Sequence, residues 1–100
     1  MEADAMKLTS RVRRTEDVVF RDLAGELVLL NLKTGVYFGL DPMGTRIWHL
    51  LQEQRSLQEV LESLLEEYAV TQARCAQDLL HFVALLWKQG LVEVRDQAAP

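Results

Sequence analysis

Apolar residues recur along this chain in two different periods, and the change between them divides it into a β-rich and a helical half. Residues 18–22 begin with a β-branched pair and read as a first strand. Leu23-Ala24-Gly25-Glu26 reads as a turn, with Gly25 free to take positive φ. Residues 27–32 form a nearly continuous apolar second strand. A strand with one wet face would alternate, yet Leu27, Val28, Leu29, Leu30 and Leu32 are all apolar, so both faces are expected to be largely covered. Lys33-Thr34-Gly35 makes a short connection to a third strand, Val36-Tyr37-Phe38-Gly39-Leu40. The three strands make an antiparallel meander.

After Asp41-Pro42 the period becomes helical. Asp41 suits an N-cap and Pro42 the first helical position, opening a helix over about 43–52 with Ile47, Trp48, Leu50 and Leu51 inward. Ser56 caps a second helix, and Glu59 three residues on completes a capping box. Leu57, Val60, Leu61, Leu64 and Leu65 form its apolar face, while Glu53, Glu59, Glu62, Glu66 and Glu67 lie outside. Tyr68-Ala69-Val70 links to a third helix that Thr71 caps, ending at Gln89 with Gly90 as its C′ residue. Residues 91–94 predict a short terminal strand. The fold class is α+β, a three-stranded antiparallel sheet followed by a three-helix bundle, winged-helix-like. The domain is expected over 18–94, between a flexible basic arm (1–17) and a flexible tail (95–100).

One hundred residues with 49% hydrophobic content suit one domain with a modest core, too small to enclose a deep catalytic cavity as well. Binding on a surface groove is the simpler use. The net charge of −4 argues against nucleic acid, although Lys7, Arg11, Arg13 and Arg14 form a local basic cluster. Cys75 is the single cysteine, which forms no internal disulfide and fits a reducing cytoplasm. No signal peptide or membrane span is visible, since the longest apolar run, 82–87, is too short.

Catalytic and metal chemistry find no support. His49 and His81 fall on different predicted helices, and Cys75 and His81 point about 120° apart on one helix. No cluster of Cys and His offers a metal three or four ligands. No glycine-rich phosphate loop appears, so neither an enzyme nor a cofactor is expected.

Two features point to binding. On helix three the apolar residues span about 200°, more than the stripe of about 100° that a helix on one core needs. Such a helix is either a deeply buried core helix or one shared between core and a ligand groove. Strand three is the other feature. Unless the terminal strand covers it, its edge carries neither charge nor proline, and such an edge invites a peptide to add as a further strand.

The run from Leu29 to Asp41, containing Lys33-Thr34-Gly35-Val36-Tyr37-Phe38-Gly39-Leu40, resembles the PqqD-like family, also called RiPP recognition elements. The resemblance continues through Gly44-Thr45-Arg46-Ile47-Trp48, Ser56-Leu57-Gln58-Glu59-Val60, Tyr68 and Asp78-Leu79-Leu80-His81-Phe82-Val83, and closes at Gly90-Leu91-Val92. It covers about 18–94; each motif is degenerate, but their order and spacing are specific. It implies a non-enzymatic binder of the leader of a ribosomally made precursor peptide, lying antiparallel beside strand three and against helix three. The backbone of Tyr37, Phe38, Gly39 and Leu40, in the strand begun by Val36, would make the ladder. Cys75, Asp78, Leu79, Phe82 and Leu86 would form the groove wall, with Arg74 and Asp78 on its rim. The compact Tyr-Phe-Gly-Leu-Asp and Arg-Ile-Trp forms look most like stand-alone modules of lasso-peptide pathways, whose partner is a cysteine-protease-like leader peptidase. Delivery to a radical SAM enzyme is the neighbouring reading. From other classes, a winged-helix DNA-binding domain would require basic residues on an exposed recognition helix, where helix three offers Arg74 and Lys88 beside Asp78. A homodimer would pair the apolar edge with its own copy.

Overall fold

The computed structural model of the chain describes residues 7–53 and 56–95. Its elements run β1 (Arg11–Arg14), β2 (Val18–Leu23), β3 (Glu26–Asn31), β4 (Val36–Leu40), α1 (Pro42–Glu53), α2 (Leu57–Glu67), α3 (Gln72–Lys88) and β5 (Val92–Arg95). Strands β2, β3 and β4 form an antiparallel meander in that order, and the helices pack on one of its faces. The α+β class and the strand-then-helix order are as the periodicity predicts.

Local chemistry fixes each hairpin. Ala24 and Gly25 both take positive φ (57° and 88°), the signature of a two-residue type I′ turn, and the Asp22 carboxylate accepts from Gly25 N at 3.0 Å. At the next turn the nearly buried Asn31 side chain accepts from Lys33 N (2.9 Å) and Thr34 N (3.3 Å), and its amide donates to Gly90 O (3.4 Å). That last bond ties the β3–β4 hairpin to the end of α3.

The helices begin and end as their caps dictate. Asp41 Oδ1 accepts from Gly44 N at 2.7 Å, and Ser56 and Glu59 form the reciprocal capping box. At the far end of α3, Gly90 N donates to Trp87 O and Leu91 N to Leu86 O, the paired bonds of a Schellman motif. Trp48, Leu27, Leu29, Leu57, Leu61, Leu79, Val83 and Leu86 fill the core between sheet and helices.

Two expectations change, and one alternative left open by the sequence is decided. First, residues 11–14 fall within the stretch read as a flexible arm, yet they form β1, paired antiparallel with β5 from Arg11↔Arg95 to Arg14↔Val92. Val12 is buried, and that one anchor holds a strand whose other residues are basic and exposed. The rest of that arm before residue 7, and the tail beyond Arg95, lie outside the described residues. Arg95 itself, assigned to the tail, is the last residue of β5.

Second, β5 pairs with β1 and not with the meander, so the terminal strand leaves β4 uncovered. Third, the expected covering of both faces of residues 27–32 is incomplete. Leu27 and Leu29 are fully buried, Val28 and Leu30 on the opposite face are half-buried, and Leu32 lies in the turn, exposed.

Candidate functional site

The site is assembled where β4 and α3 run past each other without touching closely. Between them lies an open groove of about 420 Å³, lined by Phe38, Leu40, Met43, Gly44, Ile47, Asp78, Phe82 and Leu85. Its floor is apolar because α1 starts directly after β4 and lays Met43, Gly44 and Ile47 across the gap. A Cβ on Gly44 would sit 3.2 Å from the Phe82 ring, so this glycine lets α3 settle close to the start of α1. One end of the groove continues into a smaller apolar cavity of about 90 Å³ under Ile47, Leu64, Tyr68, Val70, Cys75 and Leu79. Met43, Ile47 and Asp78 belong to both.

One long wall of the groove is the outer edge of β4. Among the described residues no strand pairs with it. The register and the turns determine which backbone groups it offers. A two-residue type I′ turn makes its flanking residues, Leu23 and Glu26, a hydrogen-bonded pair. Pairs alternate from there, so Leu27 turns its N–H away from β2 and toward β4. Consistent with this, Leu27 N donates to Thr45 Oγ1 (3.0 Å), whose hydroxyl lies 3.4 Å from Leu40 O.

Carrying the alternation through the pairs Leu27↔Leu40, Val28↔Gly39, Leu29↔Phe38 and Leu30↔Tyr37 gives the parity of β4. Leu40 and Phe38 direct their backbone groups to β3. Tyr37 and Gly39 direct theirs to the open edge. Of the four residues read from sequence as ladder formers, two therefore face the open edge and two face β3.

The other predicted residues divide as follows. Phe38, Gly39, Leu40, Asp78 and Phe82 line the groove, and Arg74, Cys75, Asp78 and Leu79 line the small cavity. Val36 lies exposed at the start of the edge, and Tyr37 projects from the outer sheet face, 69% exposed. Leu86 does not reach the groove: it is fully buried in the core, and its neighbour Leu85, 40% exposed, lines the wall instead. One residue along a helix is a rotation of 100°, enough to exchange core for groove. The wide apolar arc of α3 is thus shared, with Leu79, Val83 and Leu86 in the core and Phe82 and Leu85 facing the gap.

Charge at the groove comes from Asp41, at the junction of β4 and α1, and from Asp78 on α3. Arg74 Nε and Asp78 Oδ2 form an exposed i,i+4 pair at 3.4 Å. Burial, with Asp78 adding to it, pushes the Cys75 thiol above its ordinary range. The sulfur is a half-buried lining group of the small cavity. No group of three or more metal-ligating side chains occurs among the described residues, and none of the helices is long and apolar enough to cross a membrane.

Known proteins bear on this geometry. The family model for coenzyme PQQ synthesis protein D (PqqD) matches residues 26–92, the stretch that contains β3, β4 and all three helices. Among solved structures, TbiB1 in complex with the TbiA(beta) leader peptide is 36% identical, with a TM-score of 0.78 over 88% of this chain and 99% of that one. A lasso peptide synthetase B1 complexed with its leader peptide shares the fold at 23% identity, with a TM-score of 0.77 over 83% of this chain and 98% of the other. No curated protein matches.

Proposed function

The chain belongs to the PqqD family, and from that membership we propose that it binds the leader of a lasso-peptide precursor as a fourth, antiparallel strand beside β4. The observation that carries this reading is the open edge of β4. It is apolar, free of charge and proline, and faces a groove whose far wall is α3. Among the described residues both edges of the meander are unpaired, but β2 carries Arg21 and Asp22, whereas β4 has no charged residue. An uncharged edge next to a groove favours strand addition, with main-chain bonds giving affinity and side-chain pockets giving selectivity.

An antiparallel leader runs from the Leu40 end of β4 toward Val36. Its earlier residues therefore pass the small cavity under Cys75 and Leu79, which accepts one aliphatic side chain. Its later residues leave past the β3–β4 turn, where a processing enzyme takes over. That enzyme is a separate cysteine-protease-like leader peptidase, and the chain itself is a non-catalytic presenter in the reducing cytoplasm, where Cys75 remains a free thiol. Support for leader binding comes from the 36% identical TbiB1, which was solved in complex with the TbiA(beta) leader peptide.

The test is a titration of the purified protein into a fluorescein-labelled leader from the precursor encoded beside it, followed by anisotropy. Saturable binding at micromolar affinity or tighter is expected. Absence of binding to that leader, together with salt-sensitive binding of a DNA duplex, would replace the reading with the DNA-binding one. Self-pairing through β4 would show as a dimer in sedimentation that the leader dissociates.

A further inference from the structure

Four of the five glycines in this chain have a reason within the fold. Gly25, Gly35 and Gly90 take positive φ, and Gly44 makes room for Phe82. Gly39 has neither reason. Its φ is not positive, and a Cβ built on it meets nothing within 4 Å. Glycine weakens a strand interior, and with an unbroken register at Gly39 there is no bulge to explain it, which leaves close approach of a ligand or another backbone.

The register shows what approaches. Gly39 pairs with Val28 and shares the outer sheet face with Tyr37, Val28 and Leu30. Gly39 leaves the row of side chains on that face bare at one position, a notch in the sense that its cross-strand partner Val28 is half-buried, its strand neighbour Tyr37 is exposed, and the space between is open. Gly39 is also one of the two residues whose backbone groups face the open edge. A strand added there must set one residue directly opposite Gly39, with its side chain on the same outer face.

We propose that this notch selects the leader: the residue paired with Gly39 is aromatic, and its ring lies back over the Gly39 Cα to reach Val28 and the flank of Tyr37. The distance requires a long side chain, and a bare glycine Cα favours the flat face of a ring. Adjacent strands are about 4.8 Å apart, so a side chain must cross that gap to meet Val28, and a Val or Ala is too short. Aromatic rings covering an edge glycine are a recognised way of pinning register. The notch therefore fixes which leader residue faces which position of β4, a task the sequence-independent backbone ladder cannot perform alone. This inference rests on the strand-addition reading above.

The experiment compares wild type with Gly39→Val and Gly39→Ala, using the same labelled leader and a set in which each residue is replaced singly by Ala. Gly39→Val fills the notch with a residue of high strand propensity, so its melting temperature should equal or exceed that of wild type. Its Kd for the leader should nevertheless rise by about tenfold, with Gly39→Ala intermediate. One aromatic leader position whose Ala replacement weakens wild type by a similar factor should have less than a twofold effect on Gly39→Val. If wild type and Gly39→Val bind the leader equally, the notch is unused while strand addition stands. If wild type itself does not bind, strand addition fails and the notch with it.

Discussion

Proline substitution at two adjacent residues of β4 separates its two edges. Phe38 directs its N–H to β3, where its partner Leu29 is fully buried. Phe38→Pro therefore removes a bond inside the meander and leaves a buried carbonyl without a donor, which costs about 1–3 kcal/mol before any ring clash. For a domain of this size that is a drop in melting temperature of roughly 4–20 °C. Tyr37 directs its N–H to the open edge, and its side chain is mostly solvated. Tyr37→Pro removes no internal bond and places its ring on an edge where proline is tolerated, so stability should change by less than about 1 kcal/mol. Its effect falls on the ligand. One ladder bond is lost, about 0.5–1.5 kcal/mol, and the proline ring occupies the place of the incoming carbonyl, so affinity should fall by about tenfold or more. Urea denaturation gives the first quantity and leader anisotropy the second. The inverse order, with Tyr37→Pro destabilised and Phe38→Pro stable but unable to bind, would refute this assignment of the two edges. That result would shift the backbone parity by one residue and remove Gly39 from the ligand edge as well.

Three further outcomes follow from the same structure. Thr45 is buried, with its hydroxyl between Leu27 N and Leu40 O; Thr45→Val should cost about 1–3 kcal/mol in chemical denaturation, and Thr45→Ser should recover most of it. Phe82 is partly exposed toward the groove, so Phe82→Ala should weaken leader binding while destabilising the fold by less than the roughly 3–5 kcal/mol of a core phenylalanine; a full core-sized loss with unchanged affinity would assign the ring to the core. The Arg46 guanidinium donates to Glu67 (Nε to Oε1, 2.8 Å) and holds its carboxyl below the ordinary range. A carboxyl depressed in the folded state stabilises above its unfolded pKa, and that contribution is lost as pH falls through the folded value. Wild type should therefore lose slightly more stability than Glu67→Gln between neutral and strongly acidic pH, by a small amount because the pair is exposed.

The parts of this fold that the sequence announces are those with strong local chemistry. The Asp41, Ser56 and Thr71 caps, the Ala24-Gly25 turn and Gly90 each act over three or four residues and lie where the pattern puts them. The bare β4 edge was readable from composition because charge and proline are absent from five consecutive residues. β1 was not readable. Its one buried side chain is Val12, and its partner strand lies some eighty positions away, so no local period marks it. Leu86 and Leu85 could not be told apart either, because both lie within the broad apolar arc and only the angle at which α3 crosses the sheet decides between them. The parity of β4 needed the geometry of two hairpins in sequence, which residue types alone do not supply.

The β1–β5 ribbon also bears on how the chain reaches its fold. Its strands meet only after everything between them has been brought together, so its loop-closure entropy is the largest in the molecule. The β2–β3 and β3–β4 hairpins, by contrast, close over turns of a few residues. Contacts of long separation form late, and the ribbon is therefore the last seam to close and the first to open. Amide exchange should show β1 protected less than β3. The ribbon is a separate sheet from the meander, so its opening breaks no hydrogen bond of the β4 edge, although Val12 and Val92 share the core beneath that meander.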